Sequence, residues 1–437
     1  MSDCPEINIF QTEKFYQLHP RFLTQVQTTK LPGNITVITE NIPYVRSFSL
    51  GFWFATGTRD ETPEMNGISH FIEHMLFKGT DHYTSKKISD IVESSGGYLN
   101  AFTTKENISV YGRGLTENLS RTFQVMADMV QFPRFKESDI RKEAGVVLDE
   151  IRDLEDNPEE LIFDKFEELI YGRHSLAHPI LGSEATVSAF NAETVRAYYQ
   201  KNFLESELLI SVSGNVHHQQ ICELALKYLN RSGSQARKKL ELFSPIPAKV
   251  ENIEKNTNQI YCILGAPSYG FDSEKRIVLN LLSYLLGDGT SSRLFQAVRE
   301  KMGIAYQIST FMNTYYDTSC FGVFFSTGAK NLERAKEKIY KEFEKIVNEP
   351  LPAKELKRIK EYMKGTILLG LENITNRQIG QATSMLYFNR VIPIDETLER
   401  IASITEAELL EVAREILNPE KLFSLTITPA KVKILAA

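Results

Sequence analysis

The residues best equipped for chemistry lie in one short stretch, Gly67-Ile-Ser-His-Phe-Ile-Glu-His-Met-Leu-Phe-Lys-Gly79. If this stretch is helical, His70 and His74 are one turn apart on the same face, so two imidazoles can reach one ion. Glu73 follows His70 by three positions, close enough on that face to meet a water held by the ion while staying outside the ligand set. Zinc lowers the pKa of such a water toward neutrality, and a nearby carboxylate can take its proton as it attacks a carbonyl. This is hydrolytic equipment. The competing reading is an ordinary buried helix with two satisfied histidines. It accounts for the apolar neighbours but not for three chemically distinctive residues in the spacing H-x-x-E-H.

A catalytic zinc site takes three protein ligands and leaves a position open, so a further group must come from elsewhere in the chain. The other histidines, at 19, 82, 174, 178, 217 and 218, show no comparable helical pairing with an acid. The segment Asp139-Ile-Arg-Lys-Glu-Ala-Gly-Val-Val-Leu-Asp-Glu-Ile151 offers Glu143 and Glu150, two turns apart along one helical face beside Val146, Val147 and Ile151. A carboxylate on the core side of a helix requires a partner, and a metal is one. Seven residues put the two acids roughly 10 Å apart along the axis, too far to serve one ion together. One would be a ligand and the other would hold a histidine ring from behind. Both could equally be surface acids answering Arg141, Lys142 and Arg152.

The elements that would position these residues can be read from hydrophobic period. Strands are expected at 34–40 and 46–55 around a turn at Pro43, helices at 67–79 and 85–95, and strands at 98–104 and 107–115. Ser94-Ser-Gly-Gly97 supplies the stop signal for the second helix. Helices at 117–131, 137–155 and 158–170 follow, and a helix at 192–202 feeds a strand at 208–214. The second half repeats this order: a strand at 259–265, helices at 273–286 and 291–301, strands at 304–313 and 318–327, and helices at 331–347 and 353–370. A helix at 406–417 and a strand at 422–428 close it. Even the text aligns loosely, Gly96-Gly-Tyr-Leu-Asn-Ala-Phe against Met302-Gly-Ile-Ala-Tyr-Gln-Ile. The expected class is therefore α+β: two homologous domains, each a largely antiparallel sheet covered by helices.

A chain of 437 residues exceeds what one core usually serves, which agrees with two domains. The polar, basic and Pro-bounded stretch after Arg231 is the best linker, giving domains at 1–232 and 251–437 with 233–250 between them. Apolar residues make up 42% and charged residues 24%, the usage of a folded chain. A net charge of -6 argues against a nucleic-acid partner. Cysteines at 4, 222, 262 and 320 are too scattered for a thiolate site or a disulfide framework. The first ten residues carry neither a basic leader nor an apolar core, and no run approaches ~18 apolar residues, so a cytoplasmic chain without a membrane span is expected.

The H-x-x-E-H string is the inverted-zincin signature, and the sequence resembles the pitrilysin-type (M16) zinc metallopeptidases. The likeness is strongest to the half-length branch that includes mitochondrial processing peptidase and its bacterial relatives. It covers roughly residues 28 to 430. The stretch from Gly67 to Thr80 looks like the family's active-site helix, and Lys142-Glu-Ala-Gly-Val-Val-Leu-Asp-Glu-Ile looks like the segment that gives the distal glutamate. The resemblance implies His70, His74 and Glu150 as ligands of one Zn2+ per chain, Glu73 as general base and Glu143 as support. The segment from Ser291 to Tyr306 is similar to the one whose arginine and tyrosine assist substrate and oxyanion, which implies Arg299 and Tyr306. Without the resemblance these would read as a surface arginine and a strand-opening tyrosine. Residues 98–104 look like the family's substrate-binding edge, implying Asn100, Ala101 and Phe102 as contacts to an extended peptide.

The function implied is a zinc endopeptidase acting on peptides or unfolded segments in a chamber of four domains. This chain supplies two, so a homodimer is expected, each zinc site receiving arginine and tyrosine from the opposite subunit. A non-catalytic structural subunit of the same fold is the rival, but such subunits typically lose part of the metal motif, and here it is intact. A zinc hydrolase for small substrates has no pocket signature in its favour. One departure from helical propensity stands out: Ala144-Gly145 lies inside the acid-bearing helix, where glycine costs roughly 1 kcal/mol relative to alanine.

Overall fold

The computed structural model describes residues 13–19, 22–231 and 240–430. Strands β1 (Glu13–His19), β2 (Phe22–Leu31), β3 (Ile35–Asn41), β4 (Ser47–Phe54), β5 (Tyr98–Thr103), β6 (Ile108–Leu115) and β7 (Leu208–Gly214) form one sheet, ordered β1-β2-β3-β7-β4-β6-β5. Strands β8 (Val250–Lys255), β9 (Ile260–Ser268), β10 (Ala305–Thr314), β11 (Ser319–Thr327) and β12 (Phe423–Pro429) form a second, ordered β10-β11-β9-β12-β8. Without the β1–β2 hairpin the two orders are the same, position for position. Each sheet is antiparallel except for one parallel pair, β3 with β7 and β8 with β12, at corresponding places. The fold is α+β, and its topology carries the duplication that the sequence pattern suggests.

The sheet centres are built from strands buried on both faces. In β4, Phe48, Leu50, Phe52 and Phe54 alternate with Ser49, Gly51 and Trp53, and all seven are buried. The first set faces one helical layer; on the opposite face Ser49 and Gly51 leave room for another beside the large Trp53. Gly51 shows how tightly: a Cβ there would come 2.3 Å from Gln378 Nε2. Gln378 belongs to the helix Ile374–Phe388, whose residues come from the second half of the chain. That helix is fastened to the first sheet by Arg377 and Gln381, which each donate to the buried Glu40 carboxylate at 2.6 Å. Ser211 Oγ on β7 also donates to the Gln378 carbonyl at 2.9 Å.

The second unit contains the reciprocal piece. The helix Pro158–Tyr171, from the first half, buries Ile162, Phe166 and Ile170 in a cluster with Ile263, Phe324, Phe423 and Leu425. The compact units are consequently interleaved. One takes residues up to 149, 180–240 and 369–395; the other takes 150–179, 241–368 and residues from 396 onward. The contiguous division at 232 and 251 follows the duplicated halves in chain order, whereas these units exchange a helix. Of the expected linker, 233–239 lies outside the described residues, as does Cys4. The cysteines at 222, 262 and 320 are free.

Several elements depart from the sequence-based expectation. The helix expected at 291–301 is a π-helix over Phe295–Glu300, its hydrogen bonds spanning one residue more than those of an α-helix. The hairpin β1–β2 and the helices His218–Tyr228, Ile374–Phe388 and Ile394–Ser403 were not anticipated. In Ile374–Phe388 the buried face includes Gln378, Gln381 and Ser384 with Ala382, so an apolar-period search has little to find there. Among the described residues, no helix is long and apolar enough to cross a membrane.

Gly145 lies in the continuous helix Glu137–Asp156, and a methyl group added to it would meet no atom within 4 Å. Nothing in the packing requires glycine, so its cost in helix propensity is uncompensated. Gly145→Ala should raise stability by about 0.5–1 kcal/mol in denaturant unfolding, with the melting midpoint moving upward.

Candidate metal centre

The helix Ile68–Leu76 presents Phe71, Ile72 and Met75 to the core and His70, Glu73 and His74 at its partly open face. Its start is fixed by a residue outside the motif. Glu61, only 5% exposed, accepts from the Gly67 and Ser69 amides at 2.7 Å each and from Asn66 Nδ2 at 3.0 Å. It thereby satisfies donors that the first turn leaves unpaired and places negative charge at the positive end of the helix. Burial pushes its carboxyl upward, and the hydrogen bonds from Ser69, Asn66 and Gly67 only partly offset that. Gly67 itself has φ 92°, and a Cβ there would lie 2.7 Å from Gly182 Cα. The left-handed turn and the close approach both call for glycine.

His70 Nε2 and His74 Nε2 stand 3.2 Å apart. Two nitrogens each about 2.0–2.1 Å from a tetrahedral zinc would be separated by roughly 3.3 Å, so the pair is already spaced to share an ion. One oxygen of Glu150 joins them, the three ligand atoms all lying within 4.8 Å of one another. Burial, and then the neighbouring His74, pull the His70 imidazole down to about 3, so it is the neutral ring a metal requires. The residues present therefore fit a zinc ion in both donor type and spacing.

Glu143 occupies a different place from Glu150. Its Oε1 accepts from His74 Nδ1 at 2.8 Å, on the side of the ring away from His70, and its Oε2 pairs with Lys78 Nζ at 2.6 Å. Burial would raise the Glu143 carboxyl, but the hydrogen bonds from His74 and Lys78 outweigh it and hold the group below its ordinary value. The helix Glu137–Asp156 thus delivers one acid to each side of the His74 ring, two turns apart. Its core face carries Ile140, Glu143 and Val147; Val146, read from sequence as part of that face, is 45% exposed.

Glu73 is met by Thr103, whose hydroxyl donates to Oε2 at 2.6 Å. Thr103 ends β5, an edge of its sheet, and Asn100, Ala101 and Phe102 lie on that strand. Phe102 is seated edge-on against Trp53 with centroids 5.3 Å apart. Sequence reasoning missed Glu61, Lys78 and Thr103. Lys78 could have been found, since it continues the i, i+4 series from His74; the other two are brought in by tertiary structure alone.

Arg299 and Tyr306 fall in the second unit. Arg299 is exposed at the end of the π-helix, its guanidinium 4.9 Å from the Phe295 ring centroid. Tyr306 is 59% exposed on β10, the edge strand that corresponds to β5. The β10–β11 register slips between Ala305 and Gln307, so Tyr306 is the residue at the bulge. Bulges re-aim a side chain and occur often beside active sites.

Comparison with known proteins gives the family. Residues 36–184 match the family model described as "Insulinase (Peptidase family M16)", and residues 189–363 match "Peptidase M16 inactive domain". An "Uncharacterized zinc protease YmxG" of Bacillus subtilis is 33% identical over 398 residues, covering 91% of this chain and 97% of that one. The chain belongs to peptidase family M16. An "Uncharacterized zinc protease" of Streptomyces coelicolor is 34% identical over 404 residues, 90% of this chain and 87% of the relative. Among solved structures, a protease from Helicobacter pylori superposes with a TM-score of 0.86 at 20% identity, covering 93% of this chain and 100% of the other. A peptidase M16 inactive domain from Pseudomonas fluorescens does so at 0.85 and 19% identity, over 93% and 98%. At these identities the structural likenesses bear on the fold; membership rests on the sequence matches.

If Glu143 holds the His74 ring, Glu143→Ala should weaken zinc retention by roughly 10–100-fold. Competition with a chromogenic chelator measures this directly, and wild-type retention would mean that Glu143 is only a counter-ion for Lys78.

Proposed function

We propose that this protein is a zinc-dependent endopeptidase of peptides or unfolded polypeptide segments. The observation carrying the reading is the convergence of a ring nitrogen each from His70 and His74 with a Glu150 carboxylate oxygen, all within 4.8 Å of one another, with Glu73 on the same helix as the histidines. These three residues would hold one zinc per chain. When bound, the ion supplies Lewis acidity that polarises a peptide carbonyl and acidifies water. Glu73 takes the proton from the attacking water and returns it to the departing amine. Glu143 keeps His74 in the orientation and tautomer of a ligand.

Substrate binding is assigned to β5, where Asn100, Ala101 and Phe102 lie on a strand with one side unpaired in its sheet. An extended peptide can add there by main-chain hydrogen bonds, which select for an unfolded segment more than for particular side chains. Arg299 and Tyr306 are assigned to substrate orientation and to the oxygen that gains negative charge. Their exposure, and the bulge at Tyr306, support that role. The family resemblance implies that such a pair serves the opposite subunit's site, so the working form is proposed to be a homodimer enclosing a chamber. In Lys275–Leu286, the helix that follows β9 in the second half of the chain, the buried positions are Val278, Leu279, Leu281, Leu282, Leu285 and Leu286. This agrees with a second half that assists and does not bind metal.

Glu73→Gln should keep about one zinc per chain while peptide hydrolysis falls by at least roughly 100-fold, the scale of a lost general base. A protein that never holds zinc and cleaves no peptide after zinc addition would instead be a non-catalytic subunit of this fold. The shared site is tested by mixing. Glu73→Gln and Tyr306→Phe, each nearly inactive, should regain activity on subunit exchange at one of the two sites in each heterodimer. Demonstrated exchange with no recovery would overturn the shared site.

A further inference from the structure

Thr103 stands where two parts of the proposed site meet. Its hydroxyl donates to Glu73 Oε2 at 2.6 Å, in the short range of a hydroxyl bound to an ionised carboxylate. Its backbone is the last residue of β5, immediately after Asn100, Ala101 and Phe102. We propose that Thr103 is a positioning residue that fixes the Glu73 carboxylate for proton transfer and ties it to the strand that receives the peptide. This deepens the endopeptidase reading and rests on Glu73 being the base.

The anchoring of Thr103 supports a positioning role. The turn that follows it is closed by the Thr104 amide donating to the Asn107 carbonyl at 2.8 Å. Thr104 Oγ1 accepts from the Glu106 and Asn107 amides at 3.2 and 3.0 Å. Glu106 is paired with Arg59 at 2.6 Å, both side chains about 1% exposed, and it also accepts from Tyr387 OH at 2.7 Å. The Arg59 amide donates to the Lys105 carbonyl at 2.7 Å. A buried charge pair with further hydrogen bonds resists displacement, because breaking it strands a charge in the interior. Thr103 is therefore held from its C-terminal side, and its β-branched side chain has few rotamers to choose from.

Glu73 lies half-buried on the open face of its helix, with Oε2 engaged by the Thr103 hydroxyl. A base that must reach a water and then an amine gains from having one oxygen fixed, since misplacement by about 1 Å can cost 100-fold in rate. The donor that fixes it sits on the strand proposed to pair with substrate, so peptide addition to β5 and alignment of the base are mechanically linked. Threonine at this position does more than fill a strand site.

The test uses Thr103→Val, which keeps the shape and β-propensity but removes the donor, and Thr103→Ser, which keeps the donor. Thr103→Val should lower kcat roughly 10–100-fold with KM little changed, while zinc content and melting midpoint stay at the wild-type values. Thr103→Ser should recover most of the loss. Full turnover by Thr103→Val beside an inactive Glu73→Gln would overturn the inference and leave the endopeptidase reading standing. So would equal impairment of the valine and serine variants. Full turnover by Glu73→Gln would overturn both. Should Thr103→Val lose zinc or melt early, Thr103→Ala, which puts no methyl in place of the hydroxyl, is read instead: the same loss of zinc or stability, or wild-type turnover, overturns the inference.

Discussion

The arrangement depends on His74 being engaged at both ring nitrogens. Nδ1 donates to Glu143, which leaves the Nε2 lone pair facing His70 Nε2 and the Glu150 carboxylate. A ring held on one side only could rotate, or carry its proton on the nitrogen that must be bare. Three structural demands follow from this one contact. The motif must be helical from Ile68, so that His70 and His74 share a face, and Glu61 secures that start by capping it. The acid-bearing helix must run unbroken through Gly145, so that Glu143 and Glu150 keep their two-turn spacing. Charge must also be balanced around Glu143, which Lys78 does at 2.6 Å.

Duplication explains how such a site can be built asymmetrically. Both sheets have the same strand order, the same single parallel pair and an edge strand reached after a helical segment. In one unit the helix after the second core strand carries H-x-x-E-H; in the other the corresponding helix, Lys275–Leu286, is packed with leucines. The edge strands diverged as well. β5 offers Thr103 at its end beside Glu73, and β10 offers Tyr306 at a bulge near its start. Each half also gives a helix to the sheet of the other, Pro158–Tyr171 in one direction and Ile374–Phe388 in the reverse. Each compact unit therefore draws its helical layers from both halves of the chain.

Much of this was legible in the sequence, and the reasons are physical. Strands such as β4, with alternating large and small residues, and helices such as Ile68–Leu76 announce themselves by period. The pairing of His70 with His74 needed only the geometry of one turn. Spacing alone could not decide between Glu143 and Glu150, because two positions seven residues apart share a face and the choice depends on what that face meets. Thr103 and Glu61 had no local signal: one lies 30 residues from its partner Glu73, and the other caps a helix it does not immediately precede. The exchanged helix Ile374–Phe388 stayed hidden because the buried Gln378 and Gln381, and Arg377 bonded to Glu40, interrupt the apolar pattern of Ile379, Ala382, Met385 and Leu386, which join a cluster with Val26, Ile38, Trp53 and Leu209. Patterning reports burial in apolar surroundings and is silent where burial is satisfied by hydrogen bonds.

A peptidase of the proposed kind, selecting unfolded chains, would need recognition that ignores side chains and catalysis that does not begin without substrate in place. An edge strand meets the first need, because main-chain donors and acceptors are common to every peptide. The second is harder, since a base poised beside water is competent whether or not a peptide is present. Placing the donor that aligns Glu73 at the end of the same strand offers a physical solution. A peptide paired along Asn100 to Phe102, as proposed, would restrain β5, whose far end is already held by the buried Arg59–Glu106 pair. A strand restrained at both ends holds the Thr103 hydroxyl more rigidly than one restrained at a single end. In this reading the energy of main-chain binding is used where it aids catalysis, in orienting a carboxylate, and a peptide too short to span the edge would lose turnover as well as affinity.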